Sequence, residues 1–284
     1  MLILKRKQFA LWANGTVLEI KKKKMSYNNT NKNIKFSIIM PTYNRAFCIT
    51  KAIDSLLKQT YRDYELIIVD DGSTDNTENI LKEKYQEYFE NKSFLYIRQN
   101  KIGVCKARNL GLKFAKNEWI AYLDSDNEIL PDFLESFCKA IVKNKNKCYY
   151  AQIMHSKQGI IGKKFNYRKL CKANYIDLGV FVHHISLFEK YGGFDVALKR
   201  LVDWDLIIRF TKKESPFFIQ KVLLNYNADD TIERISNVES VRLPLRAIRK
   251  KIKRQNQSKI NKYLKIKKLK LIRWLKKITK NFTG

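Results

Sequence analysis

Short apolar runs alternate with longer amphipathic stretches along most of the chain. Four continuous runs are rich in β-branched and aromatic residues, which is typical of buried strands. They are Phe36–Met40, Leu66–Val69, Phe94–Ile97 and Trp119–Leu123. After each of the first three runs, apolar residues recur every three or four positions, as on one face of a helix. This order predicts an α/β fold, with a mostly parallel, Rossmann-like sheet flanked by helices.

Polar residues follow three of these strands directly. They are Thr42, Tyr43 and Arg45 after the first strand, Asp71 after the second, and Asp124 and Asp126 after the fourth. In an open α/β sheet, ligands bind outside the carboxyl ends of the strands. The sequence therefore predicts a binding site that is built from these loops.

Asp124 and Asp126 are the strongest candidates for metal ligands. They are separated by one residue, so they point the same way if the strand continues, and both carboxylates can reach one divalent cation. Mg²⁺ and Mn²⁺ prefer such oxygen ligands and are often shared with substrate phosphates. The alternative is a solvated turn, because Asp-Ser-Asp is also common in turns.

The motifs along the chain, in their order and spacing, resemble those of the family 2 glycosyltransferases. The resemblance covers about residues 36–235. Its motifs are Pro41-Thr42-Tyr43-Asn44-Arg45, Val69-Asp70-Asp71-Gly72-Ser73-Thr74-Asp75, Gly103-x-x-x-Ala107-Arg108-Asn109, Leu123-Asp124-Ser125-Asp126, Gly192-Gly193-Phe194-Asp195 and Asp203-Trp204-Asp205-Leu206.

The resemblance implies a GT-A fold, a nucleotide-sugar donor, bound Mn²⁺ or Mg²⁺, and inversion at the anomeric carbon. It also implies that Asp71 contacts the nucleoside, while Asp70 ties its loop together. Donor binding by Thr42, Tyr43, Arg45, Arg108 and Asp124, and metal binding by Asp124 and Asp126, are expected on the same basis. For Tyr43, packing on the next helix is the alternative, and for Arg108 it is a position in solvent.

Asp203 is the expected catalytic base. Inversion requires direct attack by an acceptor hydroxyl, and a positioned carboxylate that takes its proton contributes about 10²–10⁴ in rate. Asp205 is the rival, although capping of the following helix suits it better. His183 and His184 are adjacent on an expected strand and point opposite ways, so at most one faces the site.

Three positions depart from the family pattern. Asn127 stands where a third acidic residue often follows, and Val202 replaces the glutamate that precedes the catalytic aspartate. No histidine follows Leu224, although the family frequently carries one there. A third protein ligand to the metal is therefore in doubt.

The positive charge is concentrated at the two ends of the chain. The formal net charge is +30, and the segment from Arg242 to Gly284 contributes 17 Lys or Arg with no Asp or Glu. Met1–Lys24 contains seven basic residues and one acidic residue. We therefore expect a basic, flexible extension at 1–35, a catalytic domain at 36–240, and a basic amphipathic helical tail at 241–284.

Composition indicates a cytoplasmic protein on the inner face of the membrane. The five cysteines are scattered and form no metal-binding or disulfide pattern. No apolar run reaches the ~18–20 residues of a membrane span. Lys5-Arg6-Lys7 directly follows Met1–Leu4, which is too short to be the apolar core of a signal peptide. The tail places Trp and Leu on one face among lysines, which suits an anionic membrane surface.

Two other classes of function agree with parts of the sequence. A nucleic-acid-binding protein would account for the charge, but the charge is terminal and no nucleic-acid motif is present, so no nucleic acid is expected. A metal-dependent nucleotidyltransferase also uses paired aspartates, but Pro41–Arg45 contains no glycine for a phosphate loop.

The donor and acceptor are predicted only as classes. A uridine diphosphate hexose or N-acetylhexosamine is the common donor in the resembled family, and a surface glycan or glycolipid is the expected acceptor. Acceptor specificity is expected to lie in Ala151–Tyr175 and Tyr226–Ser236.

The tail gives a first testable prediction. Removing all residues after Arg242 should abolish sedimentation with anionic liposomes while leaving donor hydrolysis intact. Because the attraction is electrostatic, the full chain should leave the liposomes as salt shortens the Debye length from ~10 Å at 0.1 M to ~3 Å at 1 M. Tight binding of RNA of any sequence without lipid binding would contradict the membrane assignment, and unfolding on truncation would make the tail part of the core.

Overall fold

The predicted order of strands and helices is confirmed from Phe36 to the strand that begins at Trp119. The structure, a computed structural model, describes residues 10–12, 34–226 and 244–252. Its strands are β1 (Ala10–Trp12), β2 (Phe36–Thr42), β3 (Tyr64–Asp70), β4 (Phe94–Arg98), β5 (Trp119–Tyr122), β6 (Glu128–Ile129), β7 (Cys148–His155), β8 (Gly159–Ile161), β9 (Phe181–His184) and β10 (Phe217–Tyr226). Its helices are α1 (Ile49–Leu57), α2 (Thr77–Glu90), α3 (Val104–Phe114), α4 (Phe133–Lys143), α5 (Tyr167–Leu170), α6 (Ser186–Tyr191) and α7 (Val202–Thr211).

The first half of the sheet is parallel. β4, β3, β2 and β5 are neighbours in that order, and all three pairs are parallel. Strands β2 and β3 are buried along nearly their whole length, which explains why they read as continuous apolar runs rather than as alternating ones. The polar loops after β2, β3 and β5 therefore lie at one edge of the sheet.

Helices α1 and α3 cover this parallel half. The apolar positions of α1 are buried in the main core, as their helical spacing predicts. Helix α3 lies against β2, and an added Cβ at Gly111 would lie 2.5 Å from Cγ2 of Ile39. Glycine at this position therefore allows close packing of the helix on the sheet.

The second half of the sheet is mixed, which the apolar pattern did not distinguish. Strand β9 is antiparallel to both β5 and β7, so β7 runs in the same direction as β5. Strand β10 is parallel to β7, and the short β6 closes the sheet antiparallel to β10. As a result, β5, β7 and β10 all end at the edge that carries the polar loops.

The two ends of the chain are only partly described. Strand β1 pairs antiparallel with β4. Apart from β1, the part of the predicted extension at 1–35 that precedes position 34 lies outside the described residues. The chain divides into two compact units, and the second unit consists of residues 199–201 and the residues after 233. A helix occupies residues 244–252 of this second unit. Most of the predicted basic tail lies outside the described residues. No helix in the described ranges is long and apolar enough to cross a bilayer.

Both histidines of β9 are buried in the protein. His183 Nε2 lies 2.9 Å from the hydroxyl of Tyr122, and its ring contacts that of Phe210. His184 Nδ1 lies 2.9 Å from Oγ of Ser186. These contacts give both histidines a structural role within the fold.

Burial lowers the pKa of His183 from 6.5 to about 4. The hydrogen bond with the His184 backbone opposes this shift, and the charge of His184 adds to it. Between those two values the unfolded chain binds a proton that the folded protein does not, so stability falls as the pH decreases from 6.5 to 4. The full effect is about 3 kcal/mol.

Replacing His183 with glutamine should remove this part of the acid sensitivity. Urea unfolding at pH 7 and at pH 4.5 should show that wild type loses about 2 kcal/mol more stability than His183→Gln over that interval. The carboxylates that the two proteins share contribute equally to both losses of stability, so their contribution cancels in the difference. Equal losses in the two proteins would mean that His183 is not buried as a neutral imidazole.

Candidate active site

The loops after β2 and β3 are tied together through Asn44, which has a left-handed backbone (φ 50°). Its N–H donates to Oγ of Ser73 at 2.9 Å, and its side-chain Oδ1 accepts from the N–H of Thr74 at 2.8 Å. Asparagine tolerates this conformation better than most residues do. The two loops therefore form one connected surface at the carboxyl edge of the sheet.

The predicted donor-binding residues of the first loop lie on this surface. Tyr43 is half-buried, and Lys101 Nζ lies 2.9 Å from its hydroxyl and 4.1 Å from the centre of its ring. The Arg45 guanidinium donates to the carbonyls of Tyr43 and Asn44. Thr42 Oγ1 is buried and has no hydrogen-bond partner among the described residues, which leaves a polar atom to be satisfied.

Asp70 and Asp71 each hold a different loop at the end of β3. Asp70 is fully buried and accepts from the N–H of Ser73 and from the hydroxyl of Tyr96, as expected for a residue that ties its loop together. Asp71 accepts three hydrogen bonds, from Gln99 Nε2 and from the N–H groups of Ile102 and Gly103. The Asp71 carboxylate therefore fixes the start of α3.

The side chain of Arg108, on α3, contacts the loop that follows β5. Its Nη2 donates to Oδ1 of Asp124 at 2.6 Å, and its guanidinium lies 5.4 Å from the ring centre of Phe194. The alternative of a solvent-exposed arginine is wrong, since the residue is 7% exposed. Burial opposes its charge, but Asp124 and then Asp203 raise the pKa of Arg108 above the usual value. Arg108 is thus a buried cation held by acidic neighbours.

Strand β5 ends at Tyr122 and the N–H of Asn127 donates to the carbonyl of Asp124, so Asp124 and Asp126 lie at a turn and not on a continuing strand. Their carboxylates are still oxygen ligands of the kind that Mg²⁺ and Mn²⁺ prefer. The side chain of Asp124 is 35% exposed, and Asp126 is half-buried, so a substrate can reach both. No cluster of three acidic, histidine or cysteine ligands occurs in the described part of the chain. A cation here fits if diphosphate oxygens and water supply the remaining ligands, as is usual for Mg²⁺.

Asp203 lies in the first turn of α7 and is half-buried. Its Oδ2 accepts a hydrogen bond of 3.0 Å from Nδ2 of Asn174. Burial raises the pKa of Asp203, hydrogen bonding and Arg108 oppose this, and Asp124 adds to it. The charges of Asp124, Arg108 and Asp203 therefore act on one another, and the structure brings these three predicted residues together.

Asp205, the rival base, is held elsewhere. Helix α7 begins at Val202, so Asp205 lies inside the helix and is not its cap as the pattern suggested. Its Oδ2 accepts from Nε of Arg209 at 2.8 Å, and the same arginine donates to the carbonyls of Tyr191 and Gly193. Asp205 therefore positions the loop before α7.

The Gly192-Gly193-Phe194-Asp195 motif packs against Asn109 of α3. The side chain of Asn109 donates to the carbonyl of Phe194 and accepts from the N–H of Phe194, and we call this pair of hydrogen bonds the Asn109 clamp. An added Cβ at Gly193 would lie 2.1 Å from Oδ1 of Asn109. Glycine is therefore required for the clamp, which holds the Phe194 ring beside Arg108.

Asp177 is a member of the charge cluster that the sequence analysis missed. It precedes a 3₁₀ turn (Leu178–Val180) and accepts a hydrogen bond from the N–H of Gly179. Burial raises the pKa of Asp177 to about 7, and the charges of Asp203 and Asp124 add to this effect. It belongs to none of the motifs that carried the resemblance, so only its contacts in the fold reveal it.

A separate cavity of about 240 Å³ lies at the opposite edge of the sheet. Its lining includes Lys35, Lys92 and Asn117, which precede the parallel strands rather than follow them. Ligands of open α/β sheets bind at the carboxyl ends of strands, so this cavity is not the candidate active site.

Comparisons with known proteins agree with the geometry. A glycosyltransferase of Rickettsia typhi is 31% identical over 209 residues, which cover 68% of this chain and 64% of the relative. The UDP-Glc:alpha-D-GlcNAc-diphosphoundecaprenol beta-1,3-glucosyltransferase WfgD of Escherichia coli is 37% identical, over 48% of this chain and 54% of its own. The chain thus spans less than two thirds of each relative.

The fold is also found in solved structures of S. aureus TarS. S. aureus TarS 1-349 in complex with UDP-GlcNAc superposes with a TM-score of 0.65 at 21% identity, over 76% of this chain and 64% of that one. This likeness confirms the predicted α/β GT-A fold. The model of glycosyl transferase family 2 matches residues 37–201, which is more than half of the sequence. The chain therefore belongs to glycosyl transferase family 2.

Proposed function

We propose that the protein is an inverting glycosyltransferase. It transfers a hexose or N-acetylhexosamine from a uridine diphosphate sugar to a hydroxyl of a cell-surface glycan or lipid-linked acceptor. The observation that carries this proposal is the ion pair of Arg108 with Asp124 at the carboxyl end of β5, with the charge of Asp203 acting on both residues. Family membership supports sugar transfer over nucleotidyl transfer or nucleic-acid binding.

The nucleoside of the donor binds over the loops after β2 and β3. Tyr43 offers an aromatic face, and the hydroxyl of Thr42 offers a polar atom that has no partner among the described residues. A carboxylate has about four lone-pair sites, and Asp71 uses three of them within the protein. We therefore assign to Asp71 a single hydrogen bond to the nucleoside.

The diphosphate binds between Arg45 and the end of β5. Asp124 and Asp126 would hold Mn²⁺ or Mg²⁺ there. When bound, such a cation disperses the negative charge that develops on a diphosphate leaving group. Arg108 already donates to one oxygen of Asp124 and leaves the other oxygen for this role.

Asp203 acts as the base. It accepts the proton of the acceptor hydroxyl while that oxygen bonds to the anomeric carbon, and the bond from that carbon to the diphosphate oxygen breaks. A raised pKa makes a carboxylate a better proton acceptor, and Asn174 fixes the orientation of Asp203. Attack from the side opposite the leaving group inverts the configuration.

The acceptor class is supported by the relatives. WfgD is named for a diphosphoundecaprenol-linked acceptor, and another relative, from Bacillus subtilis, is the minor teichoic acid biosynthesis protein GgaB. Electrostatic attraction of the cationic segment after Arg242 to anionic lipids would bring the enzyme close to a membrane-linked acceptor. We propose that this segment holds the enzyme on the inner face of the membrane.

The Asp203→Asn variant tests the assignment of the base. It keeps the hydrogen-bond acceptor for Asn174 but cannot take a proton, so transfer should slow by about 10²–10⁴. The affinity for UDP-GlcNAc and UDP-glucose, measured by calorimetry, should stay within about twofold of wild type.

Asp177→Asn is the matched control, since it removes a carboxylate from the same cluster. It should retain transfer within about tenfold of wild type. If Asp177→Asn is the more damaging change, the base has been assigned to the wrong aspartate. Loss of donor affinity in Asp203→Asn would show instead that Asp203 has a structural role.

A further inference from the structure

The candidate active site leaves one feature at the same sheet edge unexplained. His155 is the last residue of β7, and Tyr226 is the last residue of β10. The two residues are paired in the parallel register, and their rings are stacked, with centroids 5.0 Å apart and planes inclined by 14°. Both rings are half-buried, so part of the pair is open to solvent.

The stacked pair is held rigidly by its surroundings. The N–H of Lys157 donates to His155 Nδ1 at 3.1 Å, and the N–H of Ser156 donates to the carbonyl of Tyr226 at 3.1 Å. Tyr226 also packs against the main hydrophobic core. A ring pair fixed in this way loses little freedom when a ligand binds to it.

The hydrogen bond to Nδ1 also determines what His155 can offer. In a neutral imidazole, one nitrogen accepts and the other carries the proton. Because Nδ1 accepts from Lys157, the proton is on Nε2, which makes His155 a hydrogen-bond donor rather than a metal ligand. The pair thus combines a flat aromatic surface with one polar donor at its edge.

Topology places the pair beside the reacting centre but away from the nucleoside loops. Strands β2 and β3 lie on one side of β5, whereas β7 and β10 lie on the other. Strand β6 pairs Glu128 with Asn225 in the antiparallel direction. Continuing that register by one residue puts Tyr226 level with Asn127, which adjoins Asp126.

We propose that His155 and Tyr226 form a subsite for a pyranose ring of the acceptor. The C–H groups on one face of a pyranose are attracted to the electron-rich face of an aromatic ring, while its hydroxyls accept and donate at the edge. The position beyond β5 from the nucleoside loops favours an acceptor ring over the sugar of the donor. This inference rests on the proposed glycosyl transfer.

The stacked pair joins the two stretches that are expected to govern acceptor choice. His155 lies in Ala151–Tyr175, and Tyr226 begins the stretch Tyr226–Ser236. The fold brings one residue of each stretch into direct contact. Acceptor specificity can therefore be carried by two segments that are far apart in the sequence.

The test measures binding of methyl glycosides of glucose, galactose and N-acetylglucosamine by saturation-transfer NMR. UDP and Mg²⁺ are present, so that the donor side is occupied. Wild type should bind at least one glycoside, and Tyr226→Leu should weaken that binding about five- to tenfold. Tyr226→Phe keeps the ring and should bind within about twofold of wild type.

UDP-GlcNAc and UDP-glucose affinities, measured on the same variants by calorimetry, separate the possible results. Unchanged donor affinity together with weaker glycoside binding supports the acceptor subsite. A parallel loss of donor affinity would assign the pair to the donor, and unchanged glycoside binding in Tyr226→Leu would overturn the proposal. If wild type binds the nucleotide sugars but no glycoside, the subsite alone fails. If it binds neither nucleotide sugar, the proposed function fails as well.

Discussion

The buried charge of Arg108 is the constraint on which the active site depends. An unpaired guanidinium inside a protein is costly, so acidic groups must lie close to it. Asp124 supplies the direct hydrogen bond, and Asp203 contributes through its charge. The same arginine lies beside the ring of Phe194, which the Asn109 clamp holds in place. One cation thereby links α3, the end of β5 and the start of α7.

Under the proposed function, the mixed sheet provides a separate side of this centre for each substrate. Parallel strands β2 and β3 carry loops that are joined through Asn44, which is suitable for a nucleoside and its phosphates. The reversal at β9 then brings β7 and β10 to the same edge on the other side of β5. In the proposed reaction, donor and acceptor would therefore meet near Asp124 without competing for the same loops.

Much of this arrangement could be predicted from the sequence. The strands up to β5 are buried on both faces and read as continuous apolar runs, and the polar residues after them mark the ligand edge. The reversed strand β9 could not be predicted, since apolar patterns do not encode strand direction. Asp177 and the ring pair of His155 and Tyr226 were missed for a related reason. Each depends on contacts between distant segments rather than on a local motif.

The central claim is that Asp124 and Asp126 hold a divalent cation together with a nucleotide sugar. Calorimetric titration of UDP-GlcNAc and UDP-glucose into wild type and Asp126→Ala, each with Mn²⁺ and with EDTA, tests it directly. Wild type should bind at least one of the two sugars tenfold or more tightly with Mn²⁺, and Asp126→Ala should bind it equally weakly in both conditions. Equal affinity of wild type with Mn²⁺ and with EDTA, or full metal dependence in Asp126→Ala, would contradict the account.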